Sequence, residues 1–320
     1  MMRRVNIAIS MGDPCGIGPE VLVKALKGLG RMNDVVFFII GDAFVLKRYG
    51  LPRIPSVRVI DLKNINPVRF KPGIPTKNSA KASIDYLKEA VSLIKKGSAD
   101  CLVTSPISKE SVSGLGFSWP GHTEFLAHAF DRAHVEMVFV SERLKVVLVT
   151  RHMALQDVAG VISKKRIKEC ASLIFKLLRN NFKIRYPKVA VCGLNPHAGE
   201  AGLFGSEEKA IIAPAVKELN SKWGKHFYGP YAADTVFKRA YEGGFDLVVA
   251  MYHDQGLIPF KLMEFQEGVH LTAGLGFIRT SPVHGTAFDI AGKNIADHRP
   301  MASAIRLAYT LTKNEHHNVL

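Results

Sequence analysis

Short β-branched runs alternate with helical patterns along almost the whole chain, and this alternation constrains the fold more than any other feature. Strands of this kind read as the interior of a largely parallel sheet with helices packed on its faces, an α/β architecture. The runs are "VNIAIS", "VVFFIIGD", "VRVIDL", "CLVTSP", "EMVFVS", "KVVLVT", "KVAVCGL" and "DLVVAMY". Between them, Ile84, Leu87, Val91 and Ile94 recur at three- and four-residue steps, as do Ile167, Ala171, Ile174 and Leu178, each set predicting one apolar helix face. "VEMVFVSERLKVVLVT" breaks the rhythm. Two strands joined by a short polar turn predict an antiparallel hairpin there. At 320 residues the chain exceeds the usual single domain, so two α/β domains are expected.

Several function classes are disfavoured at this point. No apolar run approaches the roughly 18 to 20 residues of a membrane span. "MMRRVNIAIS" is basic but too short in its apolar part for a signal peptide, and reads as the first strand. Cys15, Cys101, Cys170 and Cys192 are widely spaced and form neither a disulfide framework nor a zinc-finger pattern, which points to a reducing cytoplasm. The formal net charge of +15 favours an anionic ligand. The basic residues are dispersed, densest in "SKKRIK" and "LIKKG" on amphipathic helices, which suits solvated faces better than nucleic-acid binding.

Four segments could carry chemistry. In "SMGDPCGIGPE" a strand ends, Gly12-Asp13-Pro14 turns, and Pro19-Glu20 opens a helix. Neither GxGxxG nor GxxxxGK[ST] occurs in the chain, so the stretch reads as a tight βα turn, with Asp13 placed to hold a ligand or a neighbouring loop. The second set is three histidines that each follow an apolar strand: His152 after "KVVLVTR", His197 after "KVAVCGLNP" and His253 after "DLVVAMY". Open α/β sheets bind ligands at the carboxyl ends of their strands, and neutral imidazole is a common metal ligand, so the three together suggest a metal centre. Asp254 and Glu200 lie beside them as orienting carboxylates or plain loop residues. In the third, "GHTEFLAHAF", a helix begins near His122, Thr123 and Glu124. Thr123 serves either as the helix cap or, with the free N–H groups and His122, as part of an anion site. In the fourth, Lys261 and Arg279 emerge from apolar surroundings, where a charge needs a partner. A buried salt bridge and a substrate phosphate or carboxylate both answer that need.

Taken in order, "MGDPCGIGPE", "TSPISK", "GHTEFLA", "LNPHAGEAGLFGSEE", "ADTVF", "YHDQGLIPFK" and "GLGFIRTSPVHGTAFDIAG" resemble the PdxA family, the 4-hydroxythreonine-4-phosphate dehydrogenases of vitamin B6 synthesis. The likeness runs nearly end to end. It implies two α/β/α domains with a mixed sheet, similar to isocitrate and isopropylmalate dehydrogenases and unlike a Rossmann domain. One domain would comprise 1–117 with 280–320 and the other 118–279, with the active-site cleft between them at a homodimer interface. The resemblance also implies shared sites in that homodimer, metal ligation by His152, His197 and His253, and substrate contacts from His122, Thr123, Lys261, His270 and Arg279. It carries NAD or NADP and one divalent ion (Zn, Mg, Co or Mn) as cofactors, a small phosphorylated anion as substrate, and neither nucleic acid nor membrane as partner. The implied reaction oxidises a secondary alcohol β to a carboxylate and then loses carbon dioxide, with Lys261 and Asp234 both open as proton acceptor.

Two positions depart from the family pattern: His270 stands where "GVN" is usual, and Val283 where an Asp precedes the "HGT" histidine. Both bear on the substrate, so threonate or erythronate 4-phosphate, or a dihydrodiol, are the alternatives. A three-histidine metallohydrolase and a nucleic-acid-binding module are the competing classes, separated by NAD reduction and by salt-dependent binding without metal.

Overall fold

The computed structural model describes residues 4–30, 32 and 34–316. Among them the strands are, in chain order, β1 (Val5–Ser10), β2 (Val35–Gly41), β3 (Val57–Asp61), β4 (Cys101–Thr104), β5 (Glu136–Val140), β6 (Lys145–Leu148), β7 (Val189–Cys192), β8 (Phe227–Tyr231), β9 (Leu247–Ala250), β10 (Val269–Ala273) and β11 (Ile278–Pro282). No helix among the described residues is long and apolar enough to cross a membrane.

The chain forms two compact units, Met1–Val135 with Val269–Leu320, and Glu136–Gly268. In the first, the strand order is β3-β2-β1-β4-β11-β10. The pairs are parallel except for the antiparallel β10–β11 hairpin. β4 is buried throughout and the edge strand β3 is half-exposed, as their places in the sheet require. In the second unit the order is β5-β6-β9-β7-β8, with β5–β6 the antiparallel hairpin read from the sequence and the rest parallel. Helices Lys77–Lys95 and Lys164–Asn180 bury the apolar stripes that marked them, including Leu87 and Val91 in one and Ile167, Ala171, Ile174 and Leu178 in the other.

The division falls at 135/136 and 268/269, whereas the family resemblance implies 117/118 and 279/280. The reason is strand pairing. β11 pairs with β4, and β10 pairs with β11, which draws Val269–Pro282 into the first unit. His122, Thr123, His270 and Arg279 therefore belong to the first unit, and His152, His197, Asp234, His253 and Lys261 to the second.

Candidate active site

Strands β6, β9 and β7 are neighbours and run parallel, so the loops bearing His152, His253 and His197 leave the same edge of one sheet. Polar ties hold the three strand ends together. The Thr150 hydroxyl donates to the Met251 carbonyl at 2.7 Å, joining the ends of β6 and β9. Buried Gln255 accepts from the Met251 N–H at 2.6 Å and donates to the Gly193 carbonyl at 2.8 Å, joining the ends of β9 and β7. Gly256 follows because a Cβ there would lie 2.7 Å from Leu148 Cδ2 and 2.9 Å from Val146 Cγ1. The residues of "YHDQG" after β9 thus have separate tasks: Gln255 fastens the edge, Gly256 seats the helix His253–Glu264 on the sheet, and His253 opens that helix.

His253 Nδ1 lies 2.7 Å from Asp254 Oδ1, and donating to a carboxylate there leaves the lone pair on Nε2. The rings of His152 and His253 are 5.3 Å apart, and both line a pocket of about 510 Å³ with Arg151, Met153, Tyr252 and Asp254. His197 sits on a different kind of loop. From His197 to Ala201 every φ is positive, between 40° and 79°, a full left-handed turn. Four of these residues are not glycine, and each costs roughly 1–2 kcal/mol in that region. Strain of this size persists only where the surroundings fix it, and it gathers at functional sites. Among the described residues no group of three His, Cys, Asp or Glu side chains is assembled to hold a metal ion. The expected triad is therefore not assembled within one chain. His152 and His253 meet, and His197 stands on the adjacent strand end, its ring 6.3 Å from that of Phe204.

In the first unit the alternation of strands β10 and β11 builds an anion-seeking group. Thr272 faces Arg279 across the hairpin, while His270 and Ser281 lie two residues away on the same face. Arg279 is 2% exposed. Its Nη1 donates to Thr272 Oγ1 at 3.0 Å and to His270 Nδ1 at 3.1 Å, and its Nη2 to Thr104 Oγ1 at 2.5 Å. Since arginine can only donate, His270 Nδ1 is the acceptor and its ring hydrogen is on Nε2. Arg279 Nε is buried without a hydrogen-bond partner, and no carboxylate among the described residues forms an ion pair with it. Burial holds its pKa far down, at about 9, against a weaker opposing pull from Glu124. The salt-bridge reading of Arg279 thus fails, because every group bonded to it is neutral.

Gly121, with an extended backbone, is the N-cap of helix His122–Ala129, and no side chain caps it. Thr123 is therefore not the cap; it lies buried inside the first turn. His122 Nε2 is buried and unpartnered, and burial, then the charges of Arg279 and Lys109, push its pKa well below the ordinary histidine value. An ideal Cβ on Gly121 would lie 3.7 Å from Glu124 Oε2 and 3.9 Å from Lys109 Nζ, so a carboxylate and a lysine share the positive end of this helix, and Arg279 adds its charge to that of Lys109 at His122. Glu124 offsets part of this positive charge, and the open helix N-terminus beside it favours a further anion.

The turn after β1 closes on itself. The N–H groups of Asp13, Cys15, Gly16 and Ile17 donate respectively to the Pro106 carbonyl, Asp13 Oδ1, the Asp13 carbonyl and the Thr286 carbonyl. Four amides that would cradle a pyrophosphate in a dinucleotide loop are already engaged, which supports the tight-turn reading; Gly12, at φ 74°, supplies its left-handed corner. Asp13 is buried, and burial raises its pKa.

Lys261 is exposed on the helix His253–Glu264, in contrast to the apolar setting expected for it, because that face of the helix points outward together with Ile258 and Leu262. Asp234 is exposed in the first turn of helix Ala233–Tyr241. Sequence reasoning missed Thr104, Lys109, Thr272, Gln255 and Glu208. Lys109 and Thr104 close and open "TSPISK", and Gln255 stands in "YHDQGLIPFK", but their partners became identifiable only with the strand order.

The chain as a whole has close counterparts. A family model described as pyridoxal phosphate biosynthetic protein PdxA matches residues 36–308. D-threonate 4-phosphate dehydrogenase of Salmonella typhimurium is 41% identical, covering 97% of this chain and 100% of its own length. A 4-hydroxythreonine-4-phosphate dehydrogenase of Sulfurihydrogenibium is 42% identical, over 97% of this chain and 99% of its own. Among solved structures, a 4-hydroxythreonine-4-phosphate dehydrogenase from Klebsiella pneumoniae superposes with a TM-score of 0.83 at 38% identity, covering 98% of this chain and 99% of that one. A β-decarboxylating dehydrogenase from Thermococcus kodakarensis, at 17% identity and a TM-score of 0.53 over 95% of this chain and 83% of that one, shares the fold. The mixed α/β architecture is thus that of the isocitrate and isopropylmalate dehydrogenase type, and the chain belongs to the PdxA family of dehydrogenases.

Proposed function

We propose that this enzyme oxidises 4-phosphooxy-L-threonine with NAD or NADP and a divalent metal ion, and that decarboxylation then yields 3-amino-2-oxopropyl phosphate, a step of pyridoxal 5'-phosphate synthesis. The observation that carries the reading is Arg279: a cation 2% exposed and bonded to neutral groups alone, beside His122 and Lys109, in a chain whose relatives are named for phosphorylated substrates. Arg279, His122, Thr123, His270 and Lys261 bind the phosphate and carboxylate, and the buried guanidinium supplies two-donor recognition where water competes least.

The chemistry of the donor set suits a divalent ion. His253 is oriented by Asp254, His152 is its neighbour, and His197 stands at the next strand end. The ion would be held by His152, His197 and His253, with the set completed between the two copies of a homodimer. Exposed Leu155, Leu203, Phe204, Ile258, Leu262 and Phe265, all in the unit that carries the histidines, support such an apolar contact. When bound, a divalent ion lowers the pKa of the substrate hydroxyl and withdraws electrons from the ketone oxygen. Lys261 or Asp234 takes the hydroxyl proton as hydride leaves the carbinol carbon. The β-keto acid that results loses carbon dioxide, and the cationic residues keep the remaining phosphorylated fragment in place.

D-threonate 4-phosphate is the second reading, favoured by a relative of nearly equal identity and by His270, whose Nδ1 engages Arg279 where the family pattern has Asn. The deciding experiment is NAD(P)H formation by purified protein with 4-phosphooxy-threonine, D-threonate 4-phosphate and erythronate 4-phosphate, with and without chelator. Turnover of the first, abolished by chelator, is expected. Turnover of threonate 4-phosphate alone selects the second reading, and no reduction with any of them removes both.

A further inference from the structure

We propose that Glu208 is the positioning residue of His197: its carboxylate gathers the amides at the end of β7 and so locks the left-handed turn that presents the imidazole. The idea deepens the metal reading above and rests on it. Glu208 is 4% exposed, in the π-type turn Glu208–Ile212 that precedes helix Ala213–Trp223. One of its oxygens accepts the N–H of Leu194 at 2.7 Å and of Asn195 at 2.8 Å, and the other accepts Asn195 Nδ2 at 3.1 Å. No Lys, Arg or His among the described residues pairs with it. A buried carboxylate compensated by amides alone is tuned to the shape of the loop that supplies them.

The turn also packs against this carboxylate. A Cβ on Gly199 would lie 2.6 Å from Glu208 Oε2, so the chain wraps directly onto the acid. His197, Ala198, Glu200 and Ala201 all sit in the left-handed region, and three bonds to one ionised acceptor are of the size needed to offset that strain. His152 and His253 need no such device, since Thr150 and Gln255 fix their strand ends through ordinary backbone geometry.

The test uses the full chain with Glu208→Gln and Glu208→Ala. Hydrogen exchange is followed in metal-free protein on peptides covering 194–204, and cobalt binding is titrated by its visible absorption. Loop exchange should accelerate in the order Ala, Gln, wild type, with helix Lys77–Lys95 unaffected. The cobalt Kd should rise on the order of 10- to 100-fold in the alanine variant, the range seen when groups behind a metal ligand are removed. Activity at saturating cobalt should largely recover. Unchanged loop exchange in both variants, or a loosened loop with unchanged cobalt affinity, overturns the proposal. If the wild type takes up no cobalt, the metal reading has failed, and the clamp stands or falls on the exchange alone. Should the alanine variant not fold, the glutamine variant decides, because it keeps one acceptor and the side-chain volume.

Discussion

Replacing Arg279 by Met should stabilise the ligand-free protein while abolishing anion binding. Burial holds the guanidinium pKa near 9, several units below the ordinary arginine range. That drop corresponds to a penalty of roughly 5 kcal/mol on the charged form. Methionine removes the penalty, together with the bonds to Thr272, His270 and Thr104, worth about 1 kcal/mol each. The balance is a gain of about 2 kcal/mol, or roughly 4–8 °C in Tm for a unit of this size. Thermal unfolding with and without inorganic phosphate reads both effects: phosphate should raise the melting point of the wild type and leave Arg279→Met unmoved. The pH dependence supplies a second reading. Below about pH 9 the guanidinium is charged in folded and unfolded chains alike, and the full cost is present. Above it the folded chain loses the proton first, the unfolded chain holds more protons, and stability climbs. The gap between the two proteins should therefore be constant at neutral pH and narrow above about pH 9. A variant that melts several degrees lower, or equal protection of both by phosphate, would show that Arg279 is a structural cation and refute the argument.

His253→Ala should lose bound metal and turnover while its circular dichroism and melting stay close to wild type, since the side chain is 34% exposed; full activity of metal-stripped wild type would contradict the ligand role. Gln255→Ala strands the Met251 N–H and the Gly193 carbonyl in the interior, so denaturant unfolding should show a loss of roughly 2–4 kcal/mol, and a loss under half of that would mean the tie is dispensable. Burial and neighbouring positive charge keep His122 neutral in the folded chain. As pH falls below about 6.5 the unfolded chain takes a proton that the folded chain refuses, so stability should decline, and less steeply in His122→Gln.

The layers of the fold were legible because core strands such as β1, β6 and β9 are continuous apolar runs between amphipathic helices. Three strands escaped notice for physical reasons. β8 reads "FYGPY", and its Gly-Pro pair is tolerated only because the strand lies at an edge. β10 and β11 read "VHLTA" and "IRTSP", where functional His, Arg and Thr side chains occupy positions that a plain strand would fill with Val or Ile. The three histidines were found by their common place after an apolar strand, whereas Glu208 and Gln255 were not. Their backbone partners lie 13 and 14 residues away for Glu208 and 4 and 62 for Gln255, and a backbone amide leaves no mark on the residue that bears it.

The Gln255 tie limits how such a chain can be lengthened. One residue added within β9 would shift Met251 and Gln255 together by one position against β6 and β7, and the Thr150–Met251 and Gln255–Gly193 bonds would both lose register. Insertions placed after the helix His253–Glu264 disturb none of these bonds. Engineering for a new substrate should therefore keep the strand lengths of β6, β7 and β9 untouched and spend its variation in the connections beyond them.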